Sequence, residues 1–175
     1  GAHREQIDLL RGYNLDYEIV PGVSSFCAAA AALKAEYTLP NVSQSVIITR
    51  MEGRTPVPPR QKIADYAAHH TTMVIFLSAG MLEKLSSELI KGGYTAQTPA
   101  AIVYKASWPD EKIVHCTVGT LAESAAKYGI NKTALITVGG FLGNEYDRSE
   151  LYNPTFAHGF READPTKLDV KPEVK

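Results

Sequence analysis

Four short apolar runs, residues 45–49, 73–77, 100–104 and 134–138, alternate with stretches whose apolar residues recur at helical spacing. That alternation restricts the chain to a narrow class of folds. Each run is too short for a helix of ordinary length and reads as a buried strand. Between them, residues 60–69, 81–90 and 121–128 carry helix patterns, with Met81, Leu82, Leu85 and Leu89 on one face and Gly92, Gly93 and Gly129 as stops. A further strand over 112–118 follows 100–104 across the Ser107-Trp108-Pro109-Asp110 turn, so those two neighbours pair antiparallel. About five strands and three helices from Ser45 onward predict an α/β layer structure with a mixed sheet.

Upstream, residues 3–12 read as a short amphipathic helix ended by Gly12, residues 17–20 as a strand and residues 25–33 as an alanine-rich helix. The junction Val20-Pro21-Gly22-Val23-Ser24-Ser25 is a strand end, a Pro-Gly turn and two serines at a helix start. Such a junction aims free backbone N–H groups and two hydroxyls at one spot above the strand's carboxyl end, where ligands bind in open α/β sheets. It comes so early that the strands on one side of it are expected upstream of Gly1. Pro40-Asn41 marks a linker, and residues 50–59 hold too much Pro and Gly for regular structure. The expected organisation is the end of an amino-terminal α/β domain with its connecting helix over 1–38, a carboxy-terminal α/β domain over 39–143, and a polar, tyrosine-rich tail over 144–175 whose last part, from Asp164, has the composition of a disordered end.

Hydrophobic content of 45% against 21% charged residues suffices for a packed core, and a net charge of -1 gives no sign of a nucleic-acid or acidic-membrane partner. Cys27 and Cys116 read as buried free thiols, in keeping with a reducing cytoplasm. No apolar run approaches the ~18 residues of a membrane-spanning helix, and no signal peptide precedes Arg4; the expected location is the cytoplasm.

His69-His70, His115 and His158 lack metal-ligand spacing, and no nucleophile elbow, P-loop or G-x-G-x-x-G is present. Gly139-Gly140-Phe141-Leu142-Gly143 follows the last strand with no helix after it and reads as a chain turn. What remains is a set of residues at element ends: Ser24 and Ser25, Leu77 to Gly80, Ala106 and Ser107, Thr133 and Ala134. Singly each is a cap or a turn residue. Together they let backbone amides and carbonyls approach a small ligand closely. A second set holds Arg50, Glu52 and Arg54 in the polar loop, with Arg148, Tyr152, His158 and Arg161 in the tail; Tyr152, Phe156 and Phe160 there suit an interface or the wall of an anion site.

These segments resemble the tetrapyrrole (corrin/porphyrin) methylase family. The resemblance is carried by residues 17–26, by Ile47-Ile48-Thr49-Arg50 with Glu52-Gly53-Arg54-Thr55-Pro56-Val57-Pro58, by Ile75-Phe76-Leu77-Ser78, by residues 103–114, and by the tail from Tyr146 to Arg161. The loop and the tail are similar to the branch that methylates precorrin-4 or cobalt-precorrin-4 at C11. The resemblance implies two α/β domains with S-adenosylmethionine in the cleft between them, and a chain here lacking most of the first. It implies cofactor contacts at Ser24, Ser25, Leu77, Ala106, Thr133 and Ala134, a tetrapyrrole trough near Arg50, Glu52 and Arg54, and a homodimer. It implies no particular catalytic residue, because a methyl sulfonium needs alignment and dryness more than a base. Two rival readings stand beside it: a non-catalytic dimerisation or ligand-binding module, and a sibling methylase acting at another tetrapyrrole carbon. The cobalt status of the substrate stays open, with the Glu52 loop inclining to the cobalt-bearing branch.

Overall fold

The computed structural model describes residues 1–164 and 166. The expectation of disorder from Asp164 onward therefore falls, apart from Asp164 and Thr166, outside the described residues. Helices α1 (Ala2–Gly12) and α2 (Ser25–Leu33) precede five strands, β1 (Val46–Arg50), β2 (Thr72–Phe76), β3 (Pro99–Tyr104), β4 (Lys112–Thr117) and β5 (Ala134–Val138), with α3 (Ile63–Ala67) after β1, α4 (Leu82–Lys91) after β2 and α5 (Leu121–Lys127) after β4. The sheet order is β1-β2-β5-β3-β4. Only β1 and β2 pair in parallel; β5 is antiparallel to both β2 and β3, and β3 to β4. The mixed sheet and the antiparallel β3–β4 pair agree with the sequence expectation, within a residue or two at most ends.

The two faces of the sheet bury different sets. Met73, Ile75, Ala100, Ile102, Ile136 and Val138 form one core with Leu82, Leu85 and Leu89 of α4 and Leu121 and Ala125 of α5. On the other face Val74, Val103 and Leu135 pack with Ala29 of α2, Tyr37 and Phe141. Gly92 lets α3 and α4 touch: a Cβ there would meet the Ala64 carbonyl oxygen at 2.4 Å.

Three expectations are corrected. Residues 15–24 form no strand, so the last strand expected of a preceding domain is absent, and Tyr17, Ile19 and Val20 stay exposed. A strand exists only through ladder hydrogen bonds to a neighbour, and no described strand lies beside this segment. The helix expected over 60–69 contracts to five residues, because residues 58–61 close a turn, with the Gln61 N–H donating to the Pro58 carbonyl at 2.8 Å, and Lys62 is extended. Both cysteines are free, but Cys27 is exposed on the outer side of α2 rather than buried. Cys116 is half-buried, and burial pushes its thiol up to about 11.

Candidate functional site

The carboxyl ends of β2 and β3 and the amino end of β5 lie at the same edge of the sheet, as the register pairs Tyr104 with Ala134 and Ile75 with Ile136. Just past those ends the chain takes unusual turns. Leu77, Lys105 and Thr133 have φ of 53°, 48° and 54°, the left-handed region that side chains with a Cβ avoid. Ser107 adds a fourth at 70°. The Lys105 N–H donates to the Thr133 carbonyl at 2.9 Å, which ties two of these turns together beyond the ladder. Non-glycine residues held this way at one spot mark a built site.

They surround a cleft of about 410 Å³ lined by Ser25, Leu77, Ala106, Thr133 and Ala134 together with Phe76, Val103 and Leu135. The walls are mostly apolar, and small residues let backbone groups reach the interior. Five of the six residues expected at a cofactor thus share one cleft. The sixth, Ser24, is the N-cap of α2 with extended backbone, exposed and outside the lining; its side chain makes no cap hydrogen bond. Below the cleft, buried Ser78 donates to the Phe76 carbonyl at 2.7 Å and accepts from the Met51 N–H at 3.1 Å, fastening the ends of β1 and β2.

Lys105, Trp108, Ala79, Gly80, Asn131 and Lys132 also line the cleft, and sequence reasoning did not single out Lys105, Trp108, Asn131 or Lys132. An aromatic residue inside a β-turn, where an apolar side chain is rarely placed, was the available signal for Trp108. The Lys105 ammonium sits 2.5 Å from the Asp110 carboxylate and 5.1 and 5.3 Å from the ring centres of Tyr104 and Trp108. That hydrogen bond raises the Lys105 pKa and lowers that of Asp110. The pair keeps both charges while cancelling the field of the ammonium at the cleft mouth.

The expected trough residues are not part of this cleft. Arg50 spends its guanidinium on the chain itself, donating to the carbonyls of Met51 at 3.1 Å, Thr55 at 3.2 Å and Pro56 at 2.9 Å. It shapes the loop and borders a neighbouring groove of about 500 Å³ with Ile48, Val57, Pro58 and Phe76, the last of which also lines the cleft. Glu52 faces a separate hollow beside Lys62, Lys84 and Lys91. Arg54 is exposed with no side-chain partner among the described residues. In the tail, Arg161 donates to the carbonyls of Leu151, Asn153 and Phe156 at 3.1, 2.5 and 3.3 Å, folding residues 151–161 around itself. No described tail residue lines the cleft.

Residues 1–122 match the sequence pattern of the tetrapyrrole (corrin/porphyrin) methylases. The chain belongs to the tetrapyrrole methylase family. It is 55% identical over 164 residues to a cobalt-precorrin-4 C(11)-methyltransferase of Methanocaldococcus jannaschii, covering 93% of this chain and 63% of that protein. A protein of the same name from Priestia megaterium is 49% identical over 166 residues, with 92% and 64% covered. The chain therefore spans a little under two thirds of the length of these curated relatives. Among solved structures, the cobalamin biosynthetic enzyme cobalt precorrin-4 methyltransferase superposes with a TM-score of 0.80 at 49% identity, over 82% of this chain and 60% of that one. Uroporphyrin-III C-methyltransferase from Thermus thermophilus, complexed with S-adenosyl homocysteine, shares the fold at a TM-score of 0.66 and 23% identity, over 81% and 58%. Within the family the left-handed turns at the sheet edge mark the part of the fold to interrogate.

Proposed function

We propose that the chain carries one wall of an S-adenosylmethionine site in an enzyme that methylates a corrin precursor, cobalt-precorrin-4 or precorrin-4, at C11 during cobalamin synthesis. The observation that carries this is the convergence of Ser25, Leu77, Ala106, Thr133 and Ala134 on one apolar cleft through left-handed turns. Small side chains and open backbone suit a folded nucleoside with an aliphatic tail. The names of relatives at 55% and 49% identity supply the substrate and the position.

When bound, the cofactor supplies a methyl group already attached to an electron-poor sulfur. The chain's contribution is then threefold. Val103, Leu135 and Phe76 keep water from the cleft. The turn backbones fix the ligand's orientation, which is worth most in a transfer that depends on alignment. The Lys105–Asp110 pair prevents an unpaired ammonium from opposing a sulfonium nearby. No general base is assigned.

Arg54, exposed on the loop beside the Arg50 groove, is the residue proposed to meet substrate carboxylates, with Arg50 shaping that loop and Glu52 at its start. Residues 1–38 are proposed to complete an amino-terminal domain, 39–143 to form the carboxy-terminal one and 144–175 a tail. Exposed Tyr152, Phe156 and Phe160 favour a homodimer of this chain. No helix among the described residues is long and apolar enough to cross a membrane; a cytoplasmic site of action is part of the proposal.

Calorimetric titration with S-adenosylhomocysteine tests the cleft. Micromolar binding that Ala106→Phe abolishes is the expected result, and heat that survives that substitution places the ligand elsewhere. Mass and NMR analysis of the tetrapyrrole product then tests the C11 assignment.

A further inference from the structure

The turn between β3 and β4 holds an indole where a folded chain has no use for one. Trp108 is 57% exposed, yet it lines the cleft, and the turn backbone that carries it is tightly bonded. Its backbone N–H donates to the Lys105 carbonyl at 3.0 Å, and its backbone carbonyl accepts from the Glu111 N–H at 3.0 Å. The Glu111 carboxylate accepts from the Ser107 N–H at 2.6 Å, clamping the turn from the side. The Lys105 ammonium, anchored by Asp110, lies 5.3 Å from the indole centre. Ordering an exposed tryptophan contributes little to folding, since most of its apolar area stays in water. An aromatic plate carried on a tightly bonded turn at the rim of an apolar cleft is instead a surface on which a flat ring can stack.

We propose that Trp108 is the stacking wall for the purine ring of the nucleoside bound in the cleft. This rests on the reading of the cleft as an S-adenosylmethionine site and adds the residue against which its base lies. The apolar cleft of about 410 Å³ has room for a nucleoside, and the flat ring of that ligand is the purine. Ala106, two residues before the indole, leaves the ring room to slide in beside the backbone, and the left-handed turn at Ser107 sets the indole's approach. The Lys105 cation polarises the indole without presenting net charge, because Asp110 balances it.

Trp108 is the single tryptophan of the 175-residue chain, so its emission reports on this one wall. Titration with S-adenosylhomocysteine is followed by calorimetry and by tryptophan fluorescence in the same buffer, with homocysteine as the control lacking the base. The expected result is saturable quenching that tracks the calorimetric isotherm, none with homocysteine, and affinity lowered about tenfold or more by Trp108→Ala but less than about threefold by Trp108→Phe. Binding by calorimetry with emission unchanged, or with Trp108→Ala binding as well as the parent, overturns the stacking proposal and leaves the cleft assignment standing. Absence of calorimetric binding overturns the cleft assignment and the stacking wall with it. Both variants alter an exposed turn side chain, and their thermal unfolding relative to the parent distinguishes lost binding from lost fold.

Discussion

The two edges of the sheet solve opposite problems. At the edge where β1 and β2 begin, a connected set of polar side chains is tied in, although the buried Thr137 hydroxyl of β5 has no partner among the described residues. The Ser43 hydroxyl pairs with that of Thr71 at 2.7 Å and accepts from the Thr72 N–H at 3.0 Å. Thr72 donates from its hydroxyl to the Tyr37 carbonyl at 2.6 Å, and buried Tyr94 donates to the Thr71 carbonyl. At the edge where β2 and β3 end, the chain turns through left-handed residues and leaves an apolar hollow between them. The first edge closes polar groups and holds the fold. The first edge also holds a left-handed residue, His70, and an open groove of about 460 Å³, but the second gathers four left-handed residues around an apolar hollow, which folding alone does not reward, and so marks where a ligand belongs.

The sharpest way to break that contrast is to exchange the consequences. Ala106→Phe places a ring in the cleft and is expected to lower S-adenosylhomocysteine affinity at least about a hundredfold, near 2.7 kcal/mol. Unfolding stability should move by less than about 1 kcal/mol, since Ala106 is only half-buried. Calorimetry and urea denaturation read the two quantities separately. A large stability loss with binding retained would reverse the roles assigned to the edges.

Tyr94→Phe is the converse change. It removes a buried donor and leaves the Thr71 carbonyl without it, a loss of about 1–3 kcal/mol in denaturant unfolding with ligand affinity unaltered. It also carries a pH signature. Burial pushes the Tyr94 hydroxyl up to about 12 from 10.0. The unfolded chain ionises first, so the parent's stability is whole below pH 10 and falls as pH rises toward 12. The phenylalanine variant should lose stability less steeply over that interval.

How much of this could be read from residues alone differs between the same two edges. The strand cores were legible because burial on both faces demands unbroken apolar runs, and residues 134–138 emerged with the same bounds. The strand expected at 17–20 failed because its apolar residues report a tendency to pair and say nothing of whether a neighbour exists. Ser25, Leu77, Ala106, Thr133 and Ala134 could be found as small or turn-prone residues at strand ends, since connectivity brings such ends together. Arg50 was expected at the substrate trough: its charge is visible in sequence, but the three carbonyls to which it donates come from a loop whose path is not. Trp108 was passed over because exposure of a large side chain appears only in three dimensions.

A smaller effect tests whether the cleft edge is strained. Thr133 sits at φ 54°, where glycine has no steric penalty. Thr133→Gly is expected to leave stability unchanged or raise it by up to about 1 kcal/mol, the relieved strain outweighing the extra freedom of the unfolded chain. At Thr72, a fully buried strand residue of the other edge, the same change should cost more than about 1 kcal/mol. Equal losses at both positions would remove the distinction.

The weakest expected effect concerns the Lys105–Asp110 pair, which is exposed and screened by solvent. The hydrogen bond from Lys105 holds the Asp110 carboxyl below its ordinary value of 3.8. A carboxylate depressed in the folded state contributes its stability above the unfolded value and loses it as pH falls through the folded one. Asp110→Asn should therefore lie slightly below the parent in unfolding stability at pH 7 and converge with it below about pH 3.8. Ligand binding adds the discriminating measurement at neutral pH. Removing the carboxylate leaves the Lys105 ammonium uncompensated at the cleft mouth, so S-adenosylmethionine, which carries a sulfonium, should lose affinity relative to neutral-sulfur S-adenosylhomocysteine. The gap should narrow as salt is raised, because the repulsion acts through solvent. Equal losses for the two ligands would mean that Asp110 serves only the shape of the turn.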